Sequence, residues 1–266
     1  MVISPHVIST KVAVIPARYG STRFPGKPLV LLCHKPMIQW TYEQVLRAKT
    51  IDEVVVATDD DRIADCCRAF GGKVVITSAS CPNGTSRCEE AVSLLEGQYD
   101  IVVNVQGDEP LIEPEIIDGV VQCLLNTNDV VYSTACTPFK VKEEAMLTNR
   151  VKILLDRNGY VMYSSRGLIP HNKEGCVRDF PPPFQQGAYM LHVGIHCYRR
   201  HFLDTYCRLE PTPCMLMEDL EHLKVLEHGY RMKCVVVDES PHGVDLPEDV
   251  ALVENLIHRY KEEHGL

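Results

Sequence analysis

Short apolar runs rich in β-branched residues alternate with stretches of helical period along the first half of the chain. Residues 11–15, 53–58, 73–77 and 100–105 read as strands, and 36–48, 61–70 and 87–95 read as the helices between them. Runs such as Val12-Ala13-Val14-Ile15 and Ile101-Val102-Val103 show no apolar/polar alternation, which is the mark of strands buried on both faces. The pattern predicts an α/β fold, a mostly parallel central sheet with helices on both faces, Rossmann-like in its layers. Ligands in such folds lie beyond the carboxyl ends of the strands, so the residues after Ile15 and Val105 are where chemistry is expected.

From residue 130 the strands lengthen, at 130–139, 151–156, 160–165 and 190–198, and a proline-rich loop covers 180–184. This predicts an α+β insertion over 130–210 that follows an α/β core of 1–129, covers the site and contributes an oligomer contact. Residues 211–266 then return to the core with a helix at 216–227, a strand at 233–237 and an amphipathic helix from 247 to about 263. In that last helix Val250, Val253, Ile257 and Tyr260 recur at helical spacing. No linker divides the segments, so a single compact unit is also open.

Composition narrows the partners. The 266 residues carry 36 acidic and 27 basic side chains, a net charge of −9, which disfavours nucleic acid and leaves any anion site to local clusters of Lys and Arg. No basic run precedes an apolar core near Met1, and no apolar stretch approaches the roughly 18 residues of a membrane helix, so a soluble, cytoplasmic protein is expected. The 12 cysteines are scattered without a C-x-x-C frame and are read as reduced, largely core residues.

The first strand runs into Pro16-Ala17-Arg18-Tyr19-Gly20-Ser21-Thr22-Arg23-Phe24-Pro25-Gly26-Lys27-Pro28-Leu29. Glycines let a backbone wrap a ligand closely, and Arg and Lys supply the charge a triphosphate requires. A surface turn with solvated cations is the plain alternative, although the place, directly after a buried strand, is the expected ligand position. Pro28 where a hydroxyl is needed excludes a Walker loop, and Gly20 and Gly26 do not make a dinucleotide fingerprint. After the fourth strand comes Val103-Asn104-Val105-Gln106-Gly107-Asp108-Glu109-Pro110. There Asp108 is placed either to hold Mg2+ against a nucleotide or merely to make a Gly-Asp turn.

These two segments resemble those of the CMP-Kdo synthetases, the cytidylyltransferases of 3-deoxy-manno-octulosonate (Kdo), and CMP-sialate synthetases carry a relative of the first. The resemblance runs in order from about Val12 to Asp249. It implies that Pro16, Ala17, Arg18, Ser21, Arg23 and Lys27 bind the triphosphate, with Arg18, Arg23, Lys27 and Asp108 catalytic and Gln106 beside the nucleotide. Gly243-Val244-Asp245-Leu246-Pro247-Glu248-Asp249 is similar to the family's Gly-Val-Asp-Thr-Pro-Glu-Asp, with Leu246 in place of Thr. That similarity makes Asp245 the second Mg2+ ligand, while its place ahead of Pro247 would also let it cap the last helix. Asn83-Gly84-Thr85-Ser86-Arg87 resembles a segment near the cytosine and points to Gly84 and Arg87. Asn83 and Ser86 depart from the family there, and a helix N-cap by Thr85 or Ser86 is the structural alternative.

For an acidic sugar the resemblance implies Arg166 in Tyr163-Ser164-Ser165-Arg166, His192, His196 and Tyr198 in the segment 191–198, and Glu221 and His222 in Met217-Glu218-Asp219-Leu220-Glu221-His222-Leu223. His196 stands where the family often has Tyr, and His222 replaces Gln. Together the motifs imply CMP transfer from CTP to Kdo with release of pyrophosphate, Mg2+ as cofactor, a homodimer, and a product destined for lipopolysaccharide in a Gram-negative cell. In domain terms 1–129 would bind nucleotide and 130–210 would bind sugar and dimerise. A CMP-sialate synthetase or a sugar-1-phosphate nucleotidyltransferase is the nearest alternative, and the segments 106–110 and 243–245 favour Kdo. A catalytically dead regulator would be expected to lose a cation or acid that this chain retains, and a structural interaction protein would not bind CTP.

Overall fold

A computed structural model describes residues 9–21, 24–174, 177, 189–239 and 242–264. β1 (Lys11–Ala17) is followed by a short hairpin, β2 (Leu31–Leu32) and β3 (Lys35–Pro36), and then by α1 (Met37–Leu46), β4 (Glu53–Thr58), α2 (Asp61–Ala69), β5 (Val74–Ile76), α3 (Gly84–Leu94) and β6 (Ile101–Val105). The chain continues through α4 (Pro114–Leu125), β7 (Tyr132–Pro138), β8 (Lys152–Leu155), β9 (Val161–Ser165), β10 (Met190–Arg199) and α5 (Arg200–Arg208). It closes with α6 (Pro213–Glu218), α7 (Leu223–Glu227), β11 (Met232–Val236) and α8 (Asp249–His264).

Nine strands form one sheet in the order β11-β7-β10-β6-β1-β4-β5, with β8 and β9 continuing as a ribbon from β10. The β6-β1-β4-β5 part is parallel, as is β11 with β7. β10 runs antiparallel between β6 and β7 and joins the two parallel parts. Side chains alternate across this sheet, as strand geometry requires. Ala13, Ile15, Val54, Val56, Val103 and Val105 pack with residues of α1, α2 and α4, whereas Val12, Val14, Val55 and Val102 pack with α3 and α5. Both faces are therefore apolar, which is why the strands read as unbroken hydrophobic runs. A third cluster, Leu32, Met37, Trp40, Leu111, Val244, Val253 and Ile257, fixes α8 against α1.

The segment 130–210 does not stand apart as an insertion. β7 and β10 lie in the middle of the sheet, and only the β8–β9 ribbon extends beyond it. The helix expected over 216–227 is two helices broken at Asp219, whose φ is 51°. Tertiary contacts override the helical period here: the Glu218 carboxylate accepts from Ser165 Oγ at 2.6 Å and Arg166 N at 2.8 Å, and the Glu218 carbonyl accepts from Arg166 Nε at 2.6 Å. Helices α4 and α5, unpredicted, fill the gaps left by the sequence pattern. The proline-rich stretch 180–184 lies outside the described residues.

The eleven described cysteines are free, and Cys67, Cys88, Cys136, Cys197 and Cys234 are buried, while Cys207 is exposed. Burial pushes the Cys67 thiol up to about 12, so it packs as an un-ionised small hydrophobe. Among the described residues no helix is long and apolar enough to cross a membrane.

The ribbon is pinned by Lys152, a fully buried cation at the start of β8 whose Nζ donates to the carbonyls of Leu147 at 2.9 Å and of Arg150 and Arg166 at 2.6 Å. Burial lowers its pKa, with Glu218 and Arg166 acting in opposite senses. Lys152→Met would keep the stem and leave three acceptors without their donor, so a loss of about 3 kcal/mol is expected in urea unfolding. An unchanged midpoint would show that the ribbon does not depend on this lysine.

Candidate active site

Because β1, β4 and β6 are parallel, their carboxyl ends open on the same edge of the sheet, and a cavity of ≈ 320 Å³ lies there. Pro16 and Ala17 line it from the end of β1, Arg18, Ser21 and Lys27 from the loop that follows, Gly84 and Arg87 from the start of α3, and Gln106 and Asp108 from the turn after β6. The structure thus gathers the predicted phosphate and base segments in one place. Arg23 lies outside the described residues. Met37, Cys81, Pro82, Asn83 and Asp219 also line the cavity and were not singled out from the sequence.

The loop after β1 folds back on itself. Ser21 N and Gly26 N both donate to Tyr19 O at 2.9 Å, and Ser21 Oγ accepts from Phe24 N at 3.4 Å. Gly26 has φ +71°, and a Cβ there would sit 3.1 Å from the Tyr19 ring. Only glycine meets both demands, and the fold-back delivers Lys27 into the cavity.

Lys27 Nζ donates to Asp108 Oδ2 at 2.5 Å and lies 3.6 Å from Asp245 Oδ1. The two acids, 137 positions apart in sequence (245 − 108), meet because Val244 N donates to Asp108 O at 2.9 Å. Lys27 is 12% exposed, while Asp108 and Asp245 are 30% and 53% exposed, so the carboxylates face the open side. Asp249 turns its Oδ2 back to accept from Asp245 N and Leu246 N, both at 2.8 Å. Glu109, behind this pair, has a buried Oε2 without a partner among the described residues. Burial, then the charges of Asp108 and Asp245, raises its pKa well above the usual carboxylate range.

On the opposite wall α3 begins at the cavity, capped by Asn83, whose Oδ1 accepts from Ser86 N at 2.8 Å. The cap expected from Thr85 or Ser86 is therefore supplied by Asn83, because Thr85 Oγ1 is bonded to Tyr198 OH at 3.0 Å inside the core. Arg87 is braced by Thr77 Oγ1 at 2.6 Å and Asp59 at 3.2 Å. Asn104, fully buried on β6, accepts from Gln106 Nε2 at 3.0 Å and leaves its own Nδ2 unpaired among the described residues. A lone amide in the apolar run 101–105 was the sequence signal for it.

The residues expected around a sugar fall into two groups. His192, His196 and His222 converge, with ring centroids 4.7 to 6.2 Å apart. Burial, then a neighbouring imidazole in each case, pushes His192 and His196 down to about 3 and His222 well down, so all three rings are neutral. Tyr198 is fully buried, and Glu221 accepts from Thr85 N at 3.4 Å, its buried carboxyl raised in pKa by that burial. Both brace α3 from within. Arg166 does not reach the cavity lining. Its guanidinium donates to the carbonyls of Glu218 at 2.6 Å and Asp219 at 3.2 Å, which holds the left-handed turn that carries Asp219 to the cavity.

A doubly covered, mostly parallel sheet with a cationic glycine loop after its first strand and two acids meeting over the fourth defines a nucleotide-binding α/β enzyme class. A family profile described as Cytidylyltransferase matches residues 12–234. The mitochondrial 3-deoxy-manno-octulosonate cytidylyltransferase of Arabidopsis thaliana is 57% identical over 94% of this chain and 83% of its own length. The enzyme of the same name from Protochlamydia amoebophila is 47% identical over 91% of this chain and 92% of its own. A solved structure of CMP:2-keto-3-deoxy-manno-octonic acid synthetase complexed with CTP superposes with a TM-score of 0.85 at 35% identity, covering 95% of this chain and 100% of that one. The chain belongs to the cytidylyltransferase family, and within it to the 3-deoxy-manno-octulosonate cytidylyltransferases.

Gly26→Ala forces a side chain into the left-handed region and against Tyr19. A loss of at least about 1 kcal/mol in thermal or denaturant unfolding is expected, and an unchanged stability would mean that the loop adapts without strain.

Proposed function

We propose that the chain transfers CMP from CTP to Kdo and releases pyrophosphate. The observation that carries this reading is the placement of Lys27 between Asp108 and Asp245 at the mouth of a cavity lined by the glycine loop and the start of α3. A site for a triphosphate and a divalent cation needs this combination of fixed cations and outward-facing acids.

In the proposed complex Arg18 and Lys27 hold phosphate oxygens, with Arg23 as a further ligand by motif resemblance. The amino-terminal end of α3, whose Gly84 and Arg87 line the same cavity, favours negative charge there. Gln106, at the cavity wall and held by the buried Asn104 Oδ1, offers an amide suited to the edge of a pyrimidine. These contacts fix the α-phosphorus for in-line attack by the sugar's anomeric hydroxyl, and positioning contributes most of the rate. Lys27 exchanges from Asp108 onto the departing pyrophosphate as charge builds there.

Asp108 and Asp245 fit Mg2+: both offer hard carboxylate oxygens, both are partly exposed, and both already converge on a cation, the Lys27 ammonium. Bound there, Mg2+ supplies neutralisation of the phosphates and polarisation of the reacting centre. The neutral cluster His192, His196 and His222 offers hydrogen bonds for sugar hydroxyls, and Arg166 acts on the sugar side by holding the turn at Asp219.

The cytoplasm of the sequence reading is retained as the compartment, supported by the free cysteines, which suit reducing surroundings. The product would serve as a sugar donor, in lipopolysaccharide assembly as the motif resemblance implies. A homodimer is proposed through the ribbon side, where Met162, Leu216 and Met217 are 63%, 67% and 87% exposed. Light scattering that gives a monomer at assay concentrations would remove that element.

Pyrophosphate release should be measured with CTP, UTP and ATP against Kdo and N-acetylneuraminate. Release with CTP and Kdo alone is expected, and release with another sugar or base would overturn the assignment. Asp108→Asn should lose at least about a hundredfold in kcat, whereas near-normal turnover at saturating Mg2+ would remove Asp108 from the metal site.

A further inference from the structure

His192, His196 and His222 are brought together by two unrelated parts of the chain. Two of them lie on β10, four residues apart, where an extended strand would separate them by about 13 Å. Their rings are nevertheless 5.7 Å apart. The cause is a bulge: Val193 pairs with Ala135 and His196 with Thr134, so three steps of β10 cover one step of β7. His222 arrives from the turn before α7, its ring 4.7 Å from that of His192 and tilted at 41° to it. A nitrogen of each ring lies within 4.8 Å of a nitrogen of the other two.

Hydrogen bonding sets where the protons are. Thr134 Oγ1 has a single hydrogen, and it donates to Ile195 O at 2.7 Å. The contact of 2.8 Å between Thr134 Oγ1 and His192 Nε2 must then run from the ring to the hydroxyl, so Nε2 carries the proton and Nδ1 keeps its lone pair. His196 Nδ1 is bonded to the Tyr132 hydroxyl, and with Nδ1 as the donor of that bond Nε2 keeps its lone pair. His222 is 2% exposed and its Nε2 has no partner among the described residues. A buried unpaired imidazole nitrogen is costly unless something else binds it.

We propose that these three histidines form a binding site for one divalent transition-metal ion, Zn2+ being the best match, with a fourth coordination position left open. Three neutral imidazoles are the ligand set that zinc and its neighbours prefer, and Mg2+ does not. Thr134 and Tyr132 stand as the oxygen partners that orient ligating rings. In tetrahedral zinc the ligand nitrogens lie about 3.4 Å apart, against the 4.8 Å that bounds the candidate ligand atoms here, so binding requires the three rings to close up. The ion would tie β10 to the turn carrying Asp219. This site is separate from the acid pair at Lys27, and it draws on the three rings placed above on the sugar side, so a bound ion would replace their direct hydrogen bonds to sugar hydroxyls.

The test is a Co2+ titration of the full-length, metal-free protein, followed by Zn2+ competition. The expected result is a visible d–d band that saturates at one ion per chain, is bleached by Zn2+ and lacks thiolate charge transfer. His222→Gln and His196→Tyr, which install the residues of the family motifs, should each weaken binding at least about tenfold. No saturable band, a thiolate charge-transfer spectrum, or undiminished affinity in both variants would overturn the site. The wild-type spectrum alone separates nitrogen from sulfur ligands, so the test holds even if a variant fails to fold.

Discussion

Two carboxylates and one ammonium at the mouth of a single cavity set the terms for everything around them. Asp108 and Asp245 repel each other in a half-buried setting where charges are poorly screened, and Lys27 at 2.5 and 3.6 Å compensates both. A third charge behind them is avoided because burial and the same two acids favour the protonated form of Glu109. Among these three groups one negative charge is left over, and both acids keep an exposed side. A phosphate chain brings negative charge toward Lys27 and a divalent cation brings positive charge toward the two acids, which is why they are accommodated together.

The rest of the fold delivers these groups. Parallel strands put the ends of β1 and β6 side by side, the fold-back at Gly26 returns Lys27 to the strand end, and the bond from Val244 to Asp108 draws in Asp245. β10 contributes differently. As the antiparallel strand between β6 and β7 it carries a bulge, and that irregularity collects His192 and His196 next to His222. One sheet therefore builds a charged, open wall and a neutral, buried wall at neighbouring positions.

Sequence patterning reveals the parallel core well, because strands covered on both faces must be continuously apolar, as 12–15 and 101–103 are. The acidic and cationic motifs were legible for the related reason that polar residues directly after such strands have no packing role. What the pattern concealed depended on long-range contacts. The break at Asp219 interrupts a stretch of good helical period and is imposed by Arg166 and Glu218 across space. Asn83 rather than Thr85 caps α3 because Tyr198 takes the Thr85 hydroxyl. Arg166 has the charge to meet a carboxylate, and it also donates to the main-chain carbonyls of Glu218 and Asp219, a commitment invisible in sequence. The convergence of three histidines rests on a bulge that no local signal announces.

Calorimetric binding of CTP to wild type and Asp108→Asn, each with and without Mg2+, tests the balance at Lys27 most directly. Without Mg2+ the substitution frees Lys27 and removes a repulsive charge, so CTP should bind more tightly to the variant. With Mg2+ the substitution removes a metal ligand, so the order should reverse. Weaker binding by the variant under both conditions, or equal binding under both, would contradict the role given to the Lys27–Asp108–Asp245 arrangement.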